Sequence, residues 1–346
     1  MTPHHAATRR GIVAPVGDGH SGGPTFAQAR GPNWRRTSRG LYVPAAVDGH
    51  SLQQRIAEAA AAMPAEAGIA GWAALSWLGD RWSNGPRGTT TAHAPIPIAV
   101  GHNRNMRPQP GLRISEEWLA AGDLTVVDGI GITRAERALC FEARHATSLF
   151  EAVRAIDTAC SADLCSLEEL AAYASLHLTA RRKVPRFWRA IVLADENVWS
   201  PPESSMRLVW QVMSGFPRPL TNVPIFDLHG NHLLTPDLLD SAAGVAGEYD
   251  GALHLQDRTR RRDLDREAIY RDHDIELVTM MATDGHDVRN FQQRLASAYR
   301  RARNRPGTAQ RTWTTTRPAS WPDTTTVSAR RAVDPQLRPI WIRRAG

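Results

Sequence analysis

From residue 203 to residue 304 the chain switches repeatedly between the 3.6-residue repeat of a helix and the short apolar runs of strands, and this rhythm restricts the fold more than any other feature. SPPESSMRLVWQVM carries helical spacing, with its helix placed over 203–214. VPIFDL, HLLTPDLL and GVAGEYDG follow as short strand-like runs. A charged helix over 257–272, the strand IELVTM and an Arg-rich helix over 286–304 complete the segment. Helix, antiparallel meander, helix, strand, helix makes a compact α/β unit of ordinary domain size.

A chain of 346 residues exceeds one typical core, so a second domain is expected ahead of this one. Residues 33–198 supply it, as a mainly helical domain carrying a few strands, and a boundary near Glu196–Pro202 leaves 199–305 as the α/β unit. Gly40-Leu41-Tyr42-Val43 reads as a strand after a turn. Ser51 is placed to cap the helix LQQRIAEAAAAM, which Pro64 ends, and IAGWAALSWLG has helical spacing with Gly79 as its stop. PIPIAV (95–100) and LTVVDGIGI (124–132) read as strands. Thr133 with Glu136, and Ser166 with Glu169, read as capping boxes, and SLFEAVRAIDTAC continues the first of these helices. Residues 1–32 and 306–346 lack periodicity and are rich in turn-forming and polar residues, so both ends are expected to be disordered. The class is α/β (α+β).

The net charge of +7 and the pI near 10 favour a polyanionic partner. The three cysteines, Cys140, Cys160 and Cys165, form no CxxC pair, and their odd number suits a reducing compartment. No apolar run approaches the ~20 residues that span a bilayer, and no apolar signal region opens the chain, so the expectation is a cytoplasmic protein without a membrane partner.

The chemistry-bearing residues fall inside the α/β segment. Asp237 and Glu248 are eleven positions apart, which suits two neighbouring strands joined by a turn near Asp240–Gly244. Carboxylates at adjacent strand ends are what a hard divalent cation needs: Mg²⁺ (or Mn²⁺) held there polarises a phosphate and activates water, and the Tyr249 carbonyl is a further candidate ligand. Glu203, on the preceding helix, is a candidate to accept a metal-bound water. Asp250 follows in the same strand, and His254 is the proton carrier of the cluster that works near neutral pH. Arg258, Arg262 and Arg266 lie on the charged helix and suit a nucleic-acid backbone, with Asp263 placed to orient Arg262 or Arg266. Plainer uses exist for several of them. Asp250-Gly251 is a hairpin-turn dipeptide, Glu203 a first-turn acid favoured by the helix dipole, and His254 a surface histidine. The basic series Arg289, Arg294, Arg300, Arg301, Arg303 and Arg305 reads as a solvated helix surface.

Taken in order, Glu203-Ser204 with Arg207, then Asp237, then Glu248-Tyr249-Asp250-Gly251 with His254, then Arg262-Asp263 with Arg266 and an apolar strand at 275–280 resemble a known motif set. It is that of the very-short-patch-repair-like endonuclease domains of the PD-(D/E)xK superfamily. The segments RRTSRGLYVPA, AGWAALSWLG and VVDGIGITRAERALCFEAR resemble the region ahead of such domains that is similar to AbiEi-type antitoxins. The chain departs from the pattern in three places. Asp250 stands where the superfamily usually has its lysine, His273-Asp274 stand where relatives usually have a glycine, and no helix-turn-helix pattern opens the chain.

The resemblance implies a restriction-endonuclease-like C-terminal domain, with a central mixed sheet flanked by helices, and Mg²⁺-dependent hydrolysis of DNA. The alternative is a catalytically silent DNA-binding or partner-binding regulator related to type IV toxin–antitoxin antitoxins, for which a cognate toxin is a candidate partner. The DNA recognised and the oligomeric state do not follow from these residues.

Overall fold

The computed structural model describes residues 12–19, 22–85, 93–102, 106–179, 181–251, 257–285, 287–305 and 311–336, with backbone alone for 257–263. The chain forms two compact units, Met1–Thr147 with Glu168–Trp188, and Ser148–Leu167 with Arg189–Gly346. The second unit therefore begins well before the expected boundary near residue 199, because it takes in a helix from the middle of the chain. No helix among the described residues is long and apolar enough to cross a membrane.

The first unit carries more sheet than expected. Strands β1 (Val16–Gly17), β2 (Trp34–Ser38) and β3 (Leu41–Pro44) form one antiparallel sheet in the order β1-β3-β2. Residues 12–19 and 22–32 are thus placed, contrary to the expected disorder. Ile12 is buried, and the Gln54 side chain clasps Val13, accepting from its N–H at 2.9 Å and donating to its carbonyl at 2.8 Å. A polar leader needs no apolar periodicity when remote partners satisfy its backbone. Gln54 lies on α1 (Leu52–Ala61), which Ser51 caps as the sequence suggests.

The second sheet of this unit has the order β6-β5-β4-β8-β7. It is built from β4 (Gly68–Ile69), β5 (Ile96–Ala99), β6 (Leu112–Ser115), β7 (Leu124–Val127) and β8 (Ile130–Thr133). LTVVDGIGI is therefore a hairpin. Asp128 and Gly129 both take positive φ, 51° and 77°, as a tight turn between antiparallel strands requires. Thr133 ends β8 instead of capping, and Arg134 stands at the N-cap of α3 (Ala135–His145) without a side-chain cap. Helix α2 (Gly71–Leu78) also lacks a local cap. Glu142 of α3 supplies one, accepting from the Trp72 N–H at 3.0 Å. Gly71 takes a φ of 52°, where a side chain is strained, and a Cβ there would fall 2.1 Å from that carboxylate and displace it.

The second unit opens with α4 (Leu149–Ser161), a new helix capped by Ser148 and not a continuation of α3. Helix α5 (Leu167–His177) then belongs almost wholly to the first unit, and α6 (Val184–Leu193) leads back. Helix α7 (Pro201–Leu208) runs into a single π-helical turn over Val209–Met213. A mixed sheet of order β14-β13-β12-β9 follows, made of β9 (Leu220–Thr221), β12 (Leu238–Asp240), β13 (Val245–Asp250) and β14 (Glu276–Met281). Strands β13 and β14 pair in parallel, with α8 (Asp257–Asp272) as the crossover, so the expected antiparallel meander is only partly present.

Both faces of this sheet are covered. Leu238, Val245 and Val278 pack with Met206, Trp210 and residues of α9 (Arg289–Arg303), while Leu239 and Ala246 pack with Tyr270 of α8 and Ile225. Burial on both sides explains why these strands read as continuous apolar runs. HLLTPDLL divides at Pro236, which cannot donate to a ladder. Its first half becomes β11 (His232–Leu234) in a separate sheet with β10 (Ile225–Asp227) and β15 (Trp313–Thr314).

Residues 311–336 of the expected disordered tail are part of this unit. Trp313 is buried where β15 pairs with β10, and Thr326 caps α10 (Val327–Ala332). Arg330 of α10 is fully buried, donating to the Asp163 carboxylate at 2.6 Å and the Cys160 carbonyl at 2.8 Å. Composition alone does not reveal partners that lie some 170 positions away.

Candidate functional site

The site grows from the register of the mixed sheet. Leu238 pairs with Gly247 on one side and Thr221 on the other. Continued one residue beyond the paired strands, the same register puts Asp237 opposite Glu248 and Asn222, in keeping with the Asn222 N–H on the Asp237 carbonyl, and Glu248 is opposite Thr279 of β14. Residues directly opposite in a sheet share a face, with Cβ atoms about 5 Å apart. Asp237 and Glu248 therefore stand side by side on the α8 face, two positions beyond the buried Leu239 and Ala246. The turn between their strands falls where the sequence puts it. Asp240 Oδ1 closes it by accepting from the N–H groups of Ala242 and Ala243, both at 3.0 Å, and Oδ2 accepts from the Tyr299 hydroxyl at 2.7 Å.

Glu203 joins from the N-terminus of α7. Ser200 caps this helix, and its hydroxyl donates to Glu203 Oε1 at 2.7 Å. Glu203 Oε2 accepts from the Trp199 N–H at 2.9 Å and from Asn222 Nδ2 at 2.7 Å. Ser-x-x-Glu at 200–203 has the composition of a capping box, with the Glu203 side chain reaching back one residue further, to the Trp199 N–H. Asn222 ties the helix to the acid row. It is buried at φ 50°, a conformation asparagine tolerates, and its N–H donates to the Asp237 carbonyl at 3.0 Å. Asn197 braces it through the Asn222 and Thr221 carbonyls.

The electrostatics follow from this crowding. The Asp237 carboxyl is pushed up from 3.8 to about 8, first by burial and then by the negative charge of Glu203. The Tyr249 N–H, donating to Oδ2 at 2.7 Å, pulls the other way, Glu248 adds a further push, and Arg266 offsets part of it. Glu248 is held through Oε1 by Arg266 Nη2 and by the Tyr270 hydroxyl, both on α8. Burial and the neighbouring Glu248 raise the Tyr270 phenol well above its ordinary value. Burial works against the Arg266 charge, but Glu248, Tyr270 and Asp237 together more than compensate, and its pKa is raised. Arg266 bonds Glu248, while the side chain of its expected partner Asp263 lies outside what is described.

Asp250 ends β13 on the same side as Glu248 and is exposed. Because β13 runs parallel to β14, Asp250-Gly251 is not a hairpin turn. His254 lies outside the described residues. Arg258, Arg262 and Asp263 lie on α8, and their side chains are likewise outside what is described. The second basic series is largely neutralised locally: Arg289 pairs with Asp287, Arg294 with Asp284, and Arg301 and Arg305 with Glu276.

The other half of the Glu203-Ser204…Arg207 motif faces away from the acid row. The Ser204 hydroxyl donates to Asp157 Oδ2 at 2.5 Å and Arg207 Nη2 to the same oxygen at 2.7 Å, while the Asp195 N–H donates to Oδ1 at 2.8 Å. Asp157 and Arg207 form a fully buried ion pair.

Among the described residues, no three His, Cys, Asp or Glu side chains converge closely enough to hold a metal ion. Asp237 and Glu248 fit a cation as a pair. Hydrogen bonds engage Oδ2 of the first and Oε1 of the second, and among the described residues neither Oδ1 nor Oε2 accepts one. Mg²⁺ keeps several waters when one or two carboxylates bind it, so a pair is a sufficient donor set. In comparisons with family models, with curated proteins and with solved structures, nothing matches this chain.

Proposed function

We propose that this chain is a Mg²⁺- (or Mn²⁺-) dependent DNA endonuclease of the very-short-patch-repair-like PD-(D/E)xK kind, with a restriction-endonuclease-like second unit and a cytoplasmic site of action. The observation that carries this reading is the cross-strand pair of Asp237 and Glu248, where burial first, and the charge of Glu203 next, push the Asp237 carboxyl up to about 8. A half-buried site that gathers carboxylates against their own repulsion is one that a cation stabilises. Asp237 and Glu248 would hold the ion, which when bound polarises the phosphate and acidifies a water. Glu203 would orient the attacking water, whose oxygen bonds to phosphorus as the phosphorus–oxygen ester bond breaks. Asp250 and His254 would take the water's proton and return one to the leaving oxygen. Arg266, with Arg258 and Arg262 on the same helix, would hold the phosphate backbone.

A second reading has its own support. Asp250 stands in place of the usual lysine, and Arg266 and Tyr270 both engage Glu248. These favour a silent DNA-binding or partner-binding regulator of the antitoxin kind, with a cognate toxin as a candidate partner. Nicking of supercoiled plasmid in Mg²⁺ separates the two. The first reading expects cleavage by the wild type and its loss in both Asp237→Ala and Glu248→Ala, with thermal melts unchanged or raised. Full activity in either variant, or none in the wild type at any Mg²⁺ or Mn²⁺ concentration, removes it.

A further inference from the structure

We propose that Arg266 is a latch on Glu248: without a cation, its guanidinium on Oε1 neutralises the carboxylate whose charge the cation needs, and a nucleic-acid phosphate draws it off. The inference rests on the cation-and-phosphate reading of this site and adds a rule for how the two ligands help each other.

The geometry supplies the parts. Arg266 Nη2 and the Tyr270 hydroxyl both land on Oε1 of Glu248, so one oxygen carries two donors. The same Nη2 also reaches the Thr235 carbonyl at 3.3 Å, beside the Pro236–Asp237 bend. Arg266 offsets the charge of Asp237 as well as that of Glu248. It thus does for the acid row what a metal ion would do, from the position a metal would contest.

The two donors differ in freedom. Tyr270 is 2% exposed and packed in the core between sheet and helix, whereas the Arg266 side chain is 37% exposed. A guanidinium at the surface can turn outward to a phosphate, which matches its planar fork as well as a carboxylate does. A core phenol cannot follow. One guanidinium cannot fully satisfy both anions, so phosphate binding frees Glu248 and cation binding frees Arg266. By linkage, each ligand then tightens the other by the same factor.

Calorimetric titration of Mn²⁺ into the full chain, with and without a short DNA duplex, tests this in the wild type, Arg266→Gln, Arg266→Lys, Tyr270→Phe and Asp237→Ala. Arg266→Gln is expected to bind Mn²⁺ roughly tenfold more tightly than the wild type. Arg266→Lys, which keeps the charge, stays close to the wild type. Tyr270→Phe, which keeps the ring packing, gains roughly threefold. The duplex tightens Mn²⁺ binding in the wild type and leaves Arg266→Gln unchanged. Equal or weaker Mn²⁺ binding in a folded Arg266→Gln, or the same duplex effect in both proteins, overturns the latch. If Mn²⁺ binding is nonetheless lost in Asp237→Ala, the cation reading survives that result. If Mn²⁺ binds none of the proteins, the cation reading falls and the latch with it.

Discussion

Asp157, fully buried, and Asp237, half-buried, are both carboxylates of the second unit, and their surroundings are opposite. Asp157 meets a buried guanidinium, a hydroxyl and a backbone N–H, so burial pushes its pKa up while Arg207, Ser204 and the Asp195 N–H pull against that push. Asp237 has one backbone N–H of its own, two further carboxylates nearby and a guanidinium already bonded to Glu248. One motif serves both places: Glu203 faces the acid row, and Ser204 and Arg207 lock α7 to α4. The local balance of charge differs between the two acids more than their chemistry does. The Asp157 lock is electrically closed. Among the described residues, Arg266 is the guanidinium that offsets the charge of the Asp237 row.

That contrast predicts opposite responses to mutation. The largest effect belongs to the lock. Arg207→Ala leaves Asp157 buried without its guanidinium and should cost about 3–5 kcal/mol in urea unfolding. A loss below 1 kcal/mol would mean that the pair is not the closed unit described.

The row should respond in the other sense. The folded-state pKa of Asp237 lies above its ordinary value, so the stability linked to this group is fully present below 3.8 and is lost as pH rises through about 8. In a chelator, Asp237→Asn should flatten that part of the pH–stability profile and gain about 2 kcal/mol at pH 8, once solvent screening is discounted. Destabilisation at pH 8 would show that Asp237 is a structural acid like Asp157.

The smallest effect sits between the two regions. Ser200→Ala removes the cap that starts α7 and holds Glu203, and should cost about 1 kcal/mol. By loosening Glu203 it should also lower the apparent pKa of Asp237, read from the same pH profile. A cost in stability with no movement of that profile would separate the cap from the row.

The sequence shows the row more clearly than the lock, for a physical reason. Asp237 and Glu248 lie on adjacent strands joined by a short turn, so their spacing and the Asp240–Gly244 signal suffice to bring them together. Asp157 and Arg207 are fifty positions apart on helices that look locally complete, and no periodic pattern links them. The same limit hid the placement of Arg330 and of Ile12, whose partners lie far along the chain. Other signals were local but misread. Asp128-Gly129 is a hairpin dipeptide inside an apolar run that reads as one strand. Pro236 divides HLLTPDLL between two sheets. Thr133 has the composition of a cap, but pairing extends β8 through it. Ser200, with the same composition, is the cap in fact. Composition marks the candidates, and tertiary pairing selects among them.

The central proposal is that the Asp237 row binds a divalent cation, and direct calorimetry of Mn²⁺ binding to the wild-type chain and to Asp237→Ala tests it most directly. The account predicts saturable binding by the wild type and none by the folded variant. Equal binding by both proteins, or no binding by the wild type, would contradict it.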